Sequence, residues 1–263
     1  MDLLCGAPAF FPLLRDADRQ RGRAGKKLER GFGRKGRSLL LPFLYFSLIY
    51  IVRDLLRVLF GISEIREVWA GVNDLVTLWG SSVLWFLPAL FLAENIFIFS
   101  RKMFGRRKYA QILTVLTCLI LTFVSFLANN ALKPLEGFFL SERLLYASLC
   151  LMRTFLRAVY ALPFVCAGYF LYEIFRAFWE GEKRIPFAGQ LAAGIVLFLA
   201  GIPFSVANSY FDFRSLSFGE IPALSYLAAV LSFVGIVLIC RSCPPFKPLL
   251  FFGKNSLIVM ATH

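Results

Sequence analysis

The sequence predicts an all-α fold: a polytopic transmembrane helical bundle with six full spans plus a partial seventh. Three observations predict it. Hydrophobic residues make up 59% of the 263, and phenylalanine alone occurs 30 times. Charged residues make up only 17%, against about 25% in a soluble domain, too few to cover the surface of a soluble core this large. The charges that exist fall in short stretches between apolar runs of about 20 residues, the length that crosses a bilayer.

The elements follow in order. Residues 1–14, MDLLCGAPAFFPLL, are apolar but too short to span. No basic segment precedes them, as a secretory signal requires, so they read as the remnant of a preceding helix. Residues 15–36 are rich in Gly and Arg and are expected to be irregular, a cationic strip that anionic headgroups attract. Residues 1–37 thus form a basic cytosolic N-terminal segment, and residues 38–263 the membrane domain. The full spans are expected at about 39–60, 82–99, 109–128, 149–172, 187–206 and 221–240. A seventh begins near Leu249 and stops at His263.

Loop charge gives an orientation. Alternate loops sum to +14 and −3, and by Lys and Arg alone the two sides hold 20 and 4. The positive-inside rule makes the basic side cytosolic. Nearly all of the net +13 is therefore topological, and nucleic-acid binding is not expected. Most of the six cysteines lie in apolar runs, where a thiol acts as a small hydrophobe. Cys240 and Cys243 make a lone CxxC, read as two thiols at a helix end, since a structural zinc site needs four ligands. No metal is expected.

Ionisable groups at membrane depth are costly and become candidates for function. Glu94 lies in the second expected span, after Trp85. Arg153 and Arg157 stand one turn apart on the fourth and share a face; burying both needs anions, from the protein or from a ligand. Arg53, Asp54 and Arg57 interrupt the far end of the first span, where long side chains snorkel. Pro88 and Pro163 are expected to kink their helices and free backbone carbonyls. Glu94 either pairs for bundle stability or serves a site. Lys254 and Asn255 open the last run, and His263, the sole histidine, ends it.

Four stretches, in order, resemble the membrane-bound acyltransferase 3 family, and within it the fucose-4-O-acetylase type of sugar O-acetyltransferase. They are RKGRSLLLPFLYFSL (Arg34 to Leu48), LWFLPALFLAEN (Leu84 to Asn95), ALPFVCAGYFL (Ala161 to Leu171) and LFFGKNSLIVMATH (Leu250 to His263). The resemblance implies transfer of an acyl group, usually acetyl, from acetyl-CoA to a sugar hydroxyl of a cell-surface glycan or lipid-linked precursor, in the plasma membrane of a bacterium. Arg34, Lys35 and Arg37, at a cytosolic helix mouth, would meet the CoA phosphates, because guanidinium forks bind oxyanions bidentately. Trp85, Glu94, Arg153, Arg157, Lys254, Asn255 and His263 are the candidate path-lining residues. The family's expected base is a histidine on a first helix. No histidine precedes position 263 here, so no catalytic residue is assigned, and the chain reads as truncated at both ends. A non-catalytic remnant and a polytopic transporter or flippase stay as alternatives, although no internal repeat supports the latter.

Overall fold

The computed structural model describes residues 24–105, 109–135, 143–180, 186–209 and 211–242, with 250, 251, 253, 255 and 256 near the end. Among these residues it has seven α-helices: α1 (Ala24–Leu59), α2 (Ile65–Val76), α3 (Phe86–Phe104), α4 (Ala110–Leu132), α5 (Arg143–Glu180), α6 (Phe187–Ala207) and α7 (Pro222–Ser242). A short antiparallel hairpin joins the last two, β1 (Phe211–Asp212) and β2 (Ser217–Phe218), with Phe211 opposite Phe218. The described residues fall into two compact units. One runs to Val165, the other from Cys166 to Ser256.

Among the described residues, five stretches are long and apolar enough to cross a membrane: Gly36–Leu59, Ala110–Leu132, Leu145–Tyr172, Phe187–Ala207 and Pro222–Ser242. The chain is an integral membrane protein with a helical bundle. The expected count of six full spans plus a partial seventh is not met. The second expected span, 82–99, begins with turns through Trp85, and α3 starts only at Phe86. That helix also carries Glu94, Arg101 and Lys102, too much charge for a self-sufficient span. The partial seventh lies mostly outside the described residues.

Two local expectations also change. Helix begins at Ala24, inside the strip expected to be irregular. Its glycines each cost about 1 kcal/mol, but the Ala, Leu, Lys and Arg between them are strong helix formers, and a span already nucleated propagates backward one bond per residue. Pro88 sits in the first turn of α3, where its missing N–H costs little, so it starts that helix rather than kinking it. Pro163 does lie inside α5. It cannot donate to the Val159 carbonyl four residues back, and the Thr122 hydroxyl of α4 donates there instead at 3.2 Å.

In the first unit the exposed faces are apolar, as lipid demands, and the interior mixes apolar side chains with small polar ones. Helix α4 buries Thr114, Cys118, Thr122, Ser125 and Asn129 along one face. It exposes Ile112, Leu116, Leu119, Phe123 and Leu127 on the other. Small residues let membrane helices approach and hydrogen-bond, since lipid tails supply no hydrophobic drive between helices.

Helices α2 and α3 lie in succession along α1, antiparallel to it. Glu67 approaches Arg57 at 3.8 Å. A Cβ on Gly71 would stand 3.2 Å from Ile51. Leu75, Leu78, Leu84, Phe86 and Leu87 then pack around Phe43 with Leu39, Phe46 and Tyr50. Phe91 lies beside Gly36. The sequence reading placed 61–81 in an extramembrane loop, but α2 runs back along the membrane-spanning part of α1.

In the second unit α6 and α7 pack closely through Gly194, Gly201 and Gly235, where any Cβ would press on the facing helix. Asn208, only 2% exposed, ties the end of α6 to the hairpin and α7. Its amide donates to the Phe218 carbonyl at 2.8 Å and to the Ser225 hydroxyl, and its carbonyl accepts the Ile221 N–H at 2.7 Å. Asn208→Ala should leave the part-buried Ile221 N–H without this acceptor and the Phe218 carbonyl with the Ser225 hydroxyl but not the amide, costing about 1–3 kcal/mol. Thermal unfolding in detergent should show the drop, and an unchanged midpoint would remove Asn208 as the joint of this unit.

Candidate functional site

Between Val76 and Phe86 the chain leaves the helix and re-enters it. Leu78 (φ 56°), Gly80 (φ 72°) and Ser82 (φ 52°) all take left-handed backbone conformations. Such conformations cost side-chain-bearing residues free energy and persist where the surroundings enforce them. Here the Gly80 N–H donates to the Asp74 carbonyl at 3.2 Å, and the Ser81 hydroxyl to the Asp74 carboxylate at 2.9 Å. A Cβ on Gly80 would overlap the Trp85 backbone, so glycine is required there.

One face of α5 holds this interruption in place, rung by rung. The Asn73 amide lies 3.9 Å from the Cys150 sulfur. The Thr154 hydroxyl donates to the Thr77 carbonyl at 3.3 Å and to the Cys150 carbonyl at 2.9 Å. Arg157 Nη1 donates to the Trp79 carbonyl at 3.1 Å. The Arg157 guanidinium carbon is 3.5 Å from the centre of the Trp79 ring and 5.3 Å from that of Trp85. Arg157 is 0% exposed. A cation desolvated this far is held by indole quadrupoles and a carbonyl dipole, each far stronger away from water.

Glu94, 4% exposed, lies a little over two turns into α3 from the break. It is the only acid in the buried class among the described residues. Tyr146 and Cys150 share a hydrogen bond, with Asp74 and Arg153 near enough to act on both electrostatically. Among the described residues no three His, Cys, Asp or Glu side chains gather to hold a metal.

The sequence candidates therefore separate. Trp85 and Arg157 meet at one place. Arg153, one turn away on α5, is half-buried rather than buried with Arg157. Arg37 is exposed at the start of the membrane-spanning part of α1; the side chains of Arg34 and Lys35, within the same helix, lie outside the described residues. Asn255 belongs to the other unit and donates back to the Phe251 carbonyl at 2.9 Å. Lys254 and His263 lie outside the described residues. Trp79, the closest ring to Arg157, was missed, with Thr154, Asp74 and Ser81. The signal for it was the pair Trp79-Gly80 following an amphipathic run, a helix stop beside an aromatic.

These features define a class: a polytopic membrane protein with a cationic, indole-walled site where one of its helices is interrupted. The chain belongs to the acyltransferase 3 family, whose model, an acyltransferase domain, matches residues 8–263. No curated protein matches the chain, and no solved structure does.

Proposed function

We propose that this protein is an integral membrane O-acyltransferase that moves an acetyl group from acetyl-CoA to a sugar hydroxyl. The acceptor is a cell-surface glycan or its lipid-linked precursor, as in enzymes of the fucose-4-O-acetylase type. The observation that carries this reading is the fully buried Arg157 over the Trp79 ring and near that of Trp85, in a chain of the acyltransferase 3 family. Acyl transfer from a thioester builds negative charge on the carbonyl oxygen, and a fixed guanidinium in a dry slot stabilises that charge without reorganising. The flanking indoles supply the apolar wall a thioester needs. Glu94 is the buried carboxylate suited to accept the hydroxyl proton. Arg34, Lys35 and Arg37 would hold the CoA phosphates at a cytosolic mouth, with the other basic loops on that side of a bacterial plasma membrane.

A second reading, a transporter or flippase, draws on the interrupted α2–α3 segment, because such breaks line substrate paths in transporters. Purified protein given radiolabelled acetyl-CoA and membrane glycans separates the two. Label bound covalently to glycan supports the enzyme; its absence sinks the enzyme reading. Glu94→Gln should lower transfer about 100-fold or more if the carboxylate takes the proton, with folding unchanged by size-exclusion chromatography. Wild-type rates from that variant would remove Glu94 from the chemistry.

A further inference from the structure

We propose that the break between α2 and α3 is the acceptor subsite, in which the Asp74 carboxylate and the Ser81 hydroxyl hold neighbouring hydroxyls of the sugar. The inference rests on the acyl-transfer reading above and names where its acceptor binds.

Depth is the first argument. Gly71 stands opposite Ile51 and Leu75 packs in the Phe43 cluster, so Asp74 lies about 10 residues, or ~15 Å, inside the Leu59 end of α1. Carboxylates at that depth are rare and mark paths for substrates or protons. Irregular backbone there is tolerated only when buried in protein or lining a cavity.

Charge topology is the second argument. Taken together, α2 and α3 make one interrupted crossing in addition to the five continuous ones among the described residues. Six crossings keep 20 of the 24 loop Lys and Arg on one side. Five crossings would scatter them over both, against the usual bias.

Chemistry is the third. Asp74, Ser81, Asn73 and Arg153 are each half-buried, and Arg157, on the same face of α5 as Arg153, is fully buried. An ionised carboxylate accepts about four hydrogen bonds, so Asp74 can keep the Ser81 hydroxyl and take a sugar hydroxyl. Trp79, two residues before Ser81 and against Arg157, adds an indole to the same stretch of chain. A carboxylate and a hydroxyl in contact, with an indole in the same short stretch, suit a polyhydroxylated ring rather than an anion or a hydrocarbon. The ladder of Asn73–Cys150, Thr77–Thr154 and Trp79–Arg157 contacts then leads from this subsite to the buried guanidinium.

The test uses the full chain in detergent with acetyl-CoA and a panel of alkyl pyranosides, each with its single-deoxy analogues. Asp74→Asn and Ser81→Ala should raise KM for the pyranoside on the order of 10- to 100-fold and leave KM for acetyl-CoA unchanged. A purely structural role would instead lower kcat for every acceptor. The deoxy analogue lacking the bound hydroxyl should be as poor a substrate for the wild type as the parent is for Asp74→Asn, with no further loss when variant and analogue are combined. An active wild type with an unaltered pyranoside KM in both variants overturns the subsite alone. A wild type that transfers acetyl to no acceptor overturns the acyl-transfer reading, and the subsite with it.

Discussion

Arg157→Lys should leave a folded, membrane-inserted protein whose acyl transfer is about 100- to 1,000-fold slower. Lysine keeps the charge and can donate to the Trp79 carbonyl, which Arg157 now meets at 3.1 Å. It cannot keep the flat face that lies 3.5 Å from the Trp79 ring centre, nor direct planar N–H groups past it. A compact ammonium is also more strongly hydrated, so it tends to draw water into a slot that works by staying dry. Arg157→Met goes further. It removes the cation from the Trp79 and Trp85 rings and leaves the Trp79 carbonyl without that donor, and the cost should reach about 1–3 kcal/mol. Rates with radiolabelled acetyl-CoA and thermal unfolding in detergent read the two variants separately. A lysine variant with the wild-type kcat would show that Arg157 only braces the break, and the chemistry would have to lie elsewhere.

The site was half legible in the sequence, and the reason is physical. An arginine inside a 20-residue apolar run stands out, because nothing but a partner explains its burial, so Arg157 and Glu94 were found. Trp79, Asp74 and Ser81 were not. The twelve residues of α2 carry Arg66, Glu67 and Asp74 among Ile65, Trp69, Val72 and Val76. Composition reads that mixture as a loop outside the membrane. The helix buries no residue and relies on contact with α1 instead, a tertiary fact with no local signature. Asn208 was silent for a similar reason: an asparagine at a helix end looks like any cap until its three partners are folded around it. The five continuous spans were legible because twenty apolar residues in a row admit few other fates. The expected second span was half right: α3 is real, but its first predicted turn is the break itself.

Gly80→Ala tests whether that break is built or incidental. At φ 72° an alanine pays about 1–2 kcal/mol for its backbone alone. Its methyl group would also overlap the Trp85 backbone, and overpacking of that kind adds about 1–3 kcal/mol. The chain can escape only by moving Trp85 or Trp79, and both rings lie on Arg157. The expected result is a loss of about 2–5 kcal/mol in stability with acyl transfer reduced to background. Ser82→Gly is the matched control. Ser82 is exposed, has φ 52°, and gains from glycine the conformational freedom its own side chain denies it. It should be neutral or more stable by roughly 1 kcal/mol. If Gly80→Ala were as stable and active as the wild type, the backbone between α2 and α3 would be free to rearrange. A loop that adaptable could not hold two indoles against a buried guanidinium, so the same measurement that spares Gly80 would dissolve the site around Arg157.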